Sequence, residues 1–102
     1  MKVVRTPRAI EGFREVATYI ARNFGNKALH EFRQRTKDWT ELLKNNPHLG
    51  SVDEDLSTED MTYRSVVIYR RSIMVYRIDN ETIIVVDFYD TRRSTPSSIV
   101  FE

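Results

Sequence analysis

The chain has 102 residues, 40% of them hydrophobic and 30% charged, enough for one domain (1–102) with a single core and too little for a second. It has no cysteine, which excludes a disulfide framework, a thiolate nucleophile and a cysteine-based zinc site, and which suits a reducing cytoplasm. The net charge of +1 hides an uneven spread: residues 1–50 carry ten Lys or Arg against five acids, whereas residues 51–60 hold five acids and no base.

Twelve of the sixteen basic residues are Arg, whose planar, bidentate donors match phosphate or carboxylate better than the point charge of Lys. The composition therefore leans towards anion recognition. Met1 to Arg5 lack the apolar run of a signal peptide or a membrane span, so the expectation is a soluble intracellular protein with no membrane partner.

Lys2 to Arg5 reads as a short extended run. Thr6 then caps a helix whose first turn contains Pro7, where a missing amide costs nothing. Ile10, Phe13, Val16, Ala17, Ile20 and Phe24 recur at three- and four-residue spacing, the stripe of a helix lying on a core, and Gly25 stops it. Asn26 caps a second helix with the stripe Ala28, Leu29, Phe32, Trp39, Leu42 and Leu43, ending at Asn45, Asn46 and Pro47. Helices joined this tightly lie antiparallel.

Residues 47–61 lack periodicity, contain Gly50 and the acidic cluster Asp53, Glu54, Asp55, Glu59 and Asp60, and read as an exposed loop. Three strands follow, roughly Tyr63 to Tyr69, Ser72 to Ile78 and Thr82 to Tyr89, rich in Val, Ile and Tyr and separated by short turns. They predict an antiparallel meander. The fold class is α+β: an N-terminal helical hairpin packed on a small antiparallel sheet of three strands, or four if Lys2 to Arg5 adds an edge.

With tight turns free of bulges, strand alternation puts Tyr63, Ser65, Val67, Met74, Tyr76, Ile78, Ile84, Val86 and Phe88 on the face under the helices. The opposite face then carries Arg64, Val66, Ile68, Ile73, Val75, Arg77, Ile83, Val85, Asp87 and Tyr89. Such an apolar patch with charged ends is large for the exposed side of a monomer, and a protein partner is expected to cover it.

The order of these features carries a resemblance. Leu42, Leu43, Asn46, Pro47, Leu49 and Gly50 close the second helix, followed by Tyr63-Arg64, Tyr76-Arg77-Ile78, Val85 to Phe88, and Asp90-Thr91-Arg92 with Pro96. Over nearly the whole chain this succession resembles the RelE/ParE toxins, through several weak signatures in the right order. The resemblance implies the toxin component of a bacterial type II toxin-antitoxin module, also described as a plasmid stabilisation protein. Such a toxin inhibits growth, needs no cofactor or metal, and is neutralised by a cognate antitoxin in a hetero-oligomer. The antitoxin adds to the sheet or fills its apolar face, and Val66, Ile68, Ile73, Val75, Ile83, Val85 and Asp87 are its candidate contacts.

Two mechanisms divide the family. RelE-like members cleave mRNA in the ribosome with basic and acid-base side chains on the sheet. Many of them place a His where Thr91 stands here, before Arg92, and no Tyr follows Arg92 in this sequence. Asp87 and Asp90 enter as acid-base groups only by elimination, so the catalytic residues are unknown. ParE-like members bind DNA gyrase and poison its cleavage complex, which requires a surface and no acid-base pair. That branch fits better, with ribosome-dependent cleavage as the alternative and a non-toxic interaction domain of the same fold as a third reading.

Arg64, Arg77, Tyr89, Arg92 and Arg93 are the candidates for holding the target or a phosphate. Each Arg has a plainer reading: Arg64 pairing across the sheet with Asp87, Arg77 in a similar structural pair, and Arg92-Arg93 as a solvated strand end. His30 and His48 read as surface residues, and Trp39 as core.

Overall fold

The computed structural model describes residues 1–92. In order, the elements are β1 (Lys2–Arg5), α1 (Pro7–Asn45), β2 (Ser51–Val52), β3 (Arg64–Tyr69), β4 (Ser72–Asp79) and β5 (Thr82–Asp90). The Thr6 hydroxyl accepts a hydrogen bond from the Ala9 N–H at 3.1 Å, and Pro7 occupies the first turn, so the helix starts where the sequence places it.

The 39-residue helical run is broken at Gly25, whose φ of 90° and ψ of 178° lie outside the helical region. A straight helix would separate Phe13 and Phe32 by about 28 Å. Their rings instead stack at 5.0 Å, so the arms 7–24 and 26–45 fold back on each other as the expected hairpin. Phe88 of β5 meets Phe13 edge-on at 5.2 Å and joins hairpin to sheet. Ala9, Val16, Ala17 and Ile20 from one arm and Ala28, Phe32 and Leu43 from the other are buried. The buried stripe is rotated from the expected one: Gly12 and Thr36 enter the interface, while Ile10, Phe24 and Leu42 stay exposed.

The sheet has five strands in the order β1-β5-β4-β3-β2, one more than the largest count expected from sequence. β1 does add an edge, parallel to β5, and β3, β4 and β5 form the antiparallel meander. The additional strand, β2, is two residues long and lies within the segment expected to be loop, pairing Ser51 with Ser65 and Val52 with Arg64. So short a strand has no period-2 pattern to read.

The face assignment is corrected by two bulges. Tyr69 pairs with Ser72 across the Arg70-Arg71 turn, but Val67 pairs with Ile73, so Ile68 is the extra residue and every β3 side chain before it changes face. On β5, Thr82 pairs with Asp79 and Val85 with Tyr76, whereas Asp87 pairs with Val75, leaving Val86 unpaired. Val66, Ile68, Ile83 and Val85 therefore pack in the core under the helices with Met74, Tyr76, Ile78 and Phe88. Tyr63, Ile84 and Val86, expected under the helices, lie on the other side with Ile73, Val75 and Tyr89.

The outer face needs no partner over its centre, because the chain covers it. Leu56 and Met61 from the acidic segment pack on Val75 and Val86 beside Tyr63. Asp53 braces this segment by accepting the Leu56 N–H at 3.1 Å, and its own N–H donates to the Tyr63 carbonyl at 2.8 Å. Among the described residues, Val67, 57% exposed, is a large apolar residue left open on this side.

At the far end of the hairpin the buried Tyr76 hydroxyl donates to the Pro47 carbonyl at 2.7 Å and accepts the Gly50 N–H at 2.9 Å. Removing that hydroxyl leaves a buried N–H and a carbonyl unpaired. Tyr76→Phe is expected to cost about 1–3 kcal/mol, which for a domain of this size lowers Tm by roughly 10 °C in a thermal melt.

Candidate functional site

Arg64, Arg77, Tyr89 and Arg92 do not form one site. Arg64 Nη1 donates to the carbonyls of Gly50 at 2.8 Å and His48 at 3.2 Å, tying down the segment after α1. Asp87 is not its partner, so the cross-sheet pair expected as Arg64's structural role is absent. Arg77 is paired at 3.7 Å with Asp79 and is largely buried, and its Nε has no hydrogen-bond partner among the described residues. Tyr89 packs on the outer face beside Ile73, where burial first, then the charges of Asp53 and Asp87, hold its hydroxyl above the ordinary tyrosine pKa. That shift disfavours the phenolate a base would need. Arg93 and Pro96 lie outside the described residues.

Of the expected antitoxin contacts, Val66, Ile68, Val75, Ile83, Val85 and Asp87 are buried in the folded chain, and Ile73 alone is partly exposed. In this conformation the first six are closed to a partner.

Arg92 lands at the tip of the hairpin, in a cluster built from three parts of the chain. Its guanidinium lies 5.2 Å from the Tyr19 ring and 5.7 Å from the Phe24 ring. Arg70, from the β3–β4 turn, lies over Phe24 at 4.4 Å and Tyr69 at 5.3 Å, and Arg35 over Tyr69 at 5.8 Å. Tyr19 and Phe24 meet edge-on at 6.3 Å, and the Tyr69 hydroxyl donates to Glu31 at 2.9 Å. Arg70 has a φ of 53°, a conformation costly for a residue with a Cβ, and the rings on which it stacks help hold it there.

Asp90 organises the same corner. Its Oδ1 accepts the Arg92 N–H at 2.8 Å and Nε at 3.2 Å, and its Oδ2 accepts Nη2 at 3.1 Å. Burial alone would raise the Asp90 carboxyl, but the Arg92 side-chain and backbone bonds, with Arg71 nearby, bring it below the usual range. The side-chain bonds to Asp90, and its charge, raise Arg92 in turn. Arg92 is thus oriented and charge-balanced, whereas Arg35, Arg70 and Arg71 make no ion pair among the described residues.

The tip offers planar cations on an aromatic base with Phe24 37% exposed, a surface for an anionic partner that also presents flat apolar groups. No His takes part in these contacts. Arg70, Arg35, Tyr19, Phe24 and Tyr69 were missed from sequence. The Arg70-Arg71 pair in a tight turn was the one local signal, and it does not reveal which rings will lie beneath.

Asp87 occupies a different corner. From the β5 bulge it turns towards the start of α1, where its Oδ1 accepts the Phe88 N–H at 2.8 Å. Its Oδ2 sits 4.0 Å from Arg8 Nε, too far for a hydrogen bond, and has no hydrogen-bond partner among the described residues. Burial pushes this carboxyl up to about 6; Arg8 and the Phe88 N–H oppose the rise and Glu15 adds to it. A buried carboxyl with pKa about 6 has the acidity of a proton carrier. However, Gly12 presses on it so closely that a Cβ there would stand 2.7 Å from Oδ1, leaving no room for a substrate on that side.

Residues 3–95 match the family model of the ParE toxin of the type II toxin-antitoxin system parDE. The chain belongs to that family, within the RelE/ParE superfamily of type II toxins.

Its fold is shared with a chain of the chromosomal ParDE toxin-antitoxin system from P. aeruginosa, at TM-score 0.69 and 12% identity over 88% of this chain and 95% of that one. The YoeB/ParE toxin from Agrobacterium tumefaciens is similar at TM-score 0.59 and 20% identity, covering 88% and 98%. YoeB from Staphylococcus aureus, solved as a dimer, aligns at TM-score 0.57 and 19% identity, covering 85% and 92%. No curated protein matches the sequence.

The raised Asp87 pKa has a consequence for stability. The folded chain holds this proton more tightly than the unfolded chain, whose carboxyl titrates near 3.8. This residue's contribution is therefore most favourable below pH 4 and is lost as pH rises through about 6. Asp87→Asn should flatten that decline and raise stability at pH 7 by on the order of 1–3 kcal/mol. Tm measured between pH 4 and 8 for both proteins checks this, and parallel curves would show that Asp87 ionises unhindered.

Proposed function

We propose that this chain is a ParE-like toxin that arrests growth by binding DNA gyrase and trapping its cleavage complex, and that a cognate antitoxin neutralises it. The observation that carries the reading is the tip cluster. It supplies cations and aromatic faces, while the carboxylates and the tyrosine that could serve as a base are engaged elsewhere: Glu31 accepts the Tyr69 hydroxyl, Asp90 is bound to Arg92, Tyr89 lies on the outer face, and Asp87 is packed against Gly12. Poisoning by binding needs such a surface and no proton transfer.

Membership of the ParE family supports the same side of the choice. The cytoplasm is the compartment this reading requires, and among the described residues no helix is long and apolar enough to cross a membrane. A role in plasmid maintenance would follow if the gene pair is carried on a plasmid.

A second reading, ribosome-dependent mRNA cleavage, is favoured by one observation: stacked Arg and exposed Phe24 also suit unpaired bases and phosphates. Purified chain added to gyrase and supercoiled DNA should accumulate cleaved DNA, and added to a translation extract should leave mRNA intact. The reverse pair of results would establish the nuclease reading; no effect in either, with no growth arrest on induction, would leave a non-toxic interaction domain.

Arg70 is exposed and forms no ion pair among the described residues, so its reversal tests the surface without opening the core. Arg70→Glu should weaken gyrase poisoning by about ten-fold or more with Tm little changed. Full potency in that variant would remove the tip from the working surface.

A further inference from the structure

Guanidinium groups from three parts of the chain meet at the hairpin tip: Arg35 from the second arm, Arg70 and Arg71 from the β3–β4 turn, and Arg92 just beyond β5. The Arg71 carbonyl accepts the Thr91 N–H at 3.0 Å, which fixes this turn beside the end of β5. All four arginines are exposed. Asp90 balances Arg92, whereas Arg35, Arg70 and Arg71 make no ion pair among the described residues.

The way the cations are held narrows what can sit on them. Arg70 lies over the Phe24 ring at 4.4 Å and is open to solvent, so its guanidinium rests on one ring and leaves its far side free. A flat group can stack on that side while an oxyanion takes the N–H groups at the edge. Phe24 is itself exposed and widens the ring surface.

A ligand that alternates a negative charge with a flat ring meets both demands. An acidic peptide brings charge without ring faces. Duplex DNA brings phosphates and keeps its base faces stacked inside. A single strand offers phosphates and open base faces together. Little at the tip can read base edges, because the acceptors there are taken: Asp90 by the Arg92 N–H, Nε and Nη2, and Glu31 by the Tyr69 hydroxyl. Recognition by stacking and charge of this kind tolerates any sequence.

We propose that the hairpin tip binds single-stranded DNA, with a base on the Arg70–Phe24 stack and neighbouring phosphates on Arg35 and Arg71. The assignment rests on the gyrase reading above and names what the tip would touch there, a stretch of strand left unpaired in the cleavage complex.

The test titrates the full chain into a fluorescein-labelled DNA single strand of ten nucleotides. Fluorescence anisotropy should show saturable binding, and log K should fall with log salt at a slope of about −2, as for three phosphates of a single strand. Duplex DNA of the same length and an oligoglutamate of ten residues should each bind about ten-fold more weakly or worse. Phe24→Leu keeps an apolar side chain and removes the ring; Arg70→Lys keeps the charge and removes the plane. Each should weaken the single strand about five-fold or more with the salt slope unchanged, which loss of charge does not produce. Arg71→Ala should instead make the slope shallower by about 0.7. Circular dichroism melts confirm that these exposed changes leave the fold intact.

Duplex or oligoglutamate bound as tightly as the single strand, or binding indifferent to Phe24→Leu and Arg70→Lys, overturns the stacking site. RNA of the same sequence bound ten-fold tighter overturns DNA as the ligand.

Gyrase assays keep this proposal apart from the reading it rests on. Where the wild-type chain accumulates gyrase-cleaved DNA, Phe24→Leu and Arg70→Lys should reduce it in step with their loss of strand binding. Full accumulation by variants that no longer bind the strand overturns the DNA contact while the gyrase reading stands. A wild-type chain that binds the strand as described and traps no cleavage complex overturns the gyrase reading and leaves the tip a single-strand site.

Discussion

Gly25, at φ 90°, divides a helical run of 39 residues, and the Arg-aromatic cluster at the hairpin tip exists because the run turns back there. A residue with a Cβ resists that φ, so glycine is what allows the reversal without strain. The reversal stacks Phe13 on Phe32 and leaves a groove between the arms. It also sets Phe24 at the hairpin tip, within reach of Arg70 and Arg92, which arrive from the ends of two strands. A straight helix of the same composition would offer neither the groove nor the aromatic base.

The sheet receives the hairpin through β5, which touches both. β5 pairs with β1 on one side and β4 on the other, and its Phe88 reaches into the helical layer. The fit is closest at Gly12, where a Cβ would stand 2.5 Å from the Phe88 carbonyl oxygen. Close approach here brings Asp87 against the first turns of α1, leaving the carboxyl short of partners and hence raised in pKa. The cost of that burial belongs to docking the helix, and it is borne where no substrate can reach. A shifted pKa is therefore a poor guide to the working surface in this protein.

Exposure then divides by surface. Residues 53–63 close the outer side of the sheet, and the helices close the inner one, so the sheet is mostly interior. Exposed cations gather around the hairpin: Arg35 and, from the β3–β4 turn, Arg70 at its tip, and Arg22 and Arg33 between its arms.

Much of the fold was legible in the sequence because it depends on local chemistry. Thr6-Pro7 announces a helix start, Gly25 a reversal, and the Val/Ile/Tyr runs with two-residue turns a meander; each acts within a few residues of itself. The succession of weak signatures likewise sufficed to indicate the toxin family. The faces of the sheet were not legible, because extra residues at Ile68 and Val86 exchange inside and outside, and a bulge is decided by packing rather than by its own sequence.

That exchange sent Val66, Ile68, Ile83 and Val85 from the expected partner surface into the core. Arg64 and Arg77 went the same way from candidate to structural residue, since which carbonyl or carboxylate a long side chain meets depends on segments far away in the chain. Arg92 alone among the described target candidates reached an Arg-aromatic cluster, and its companions come from residues 19, 24, 35, 69 and 70. Local residue chemistry thus determined the elements and the class of protein. Only the tertiary structure, by bringing distant cations and rings within about 6 Å where they interact, decided which of the candidate residues share a surface.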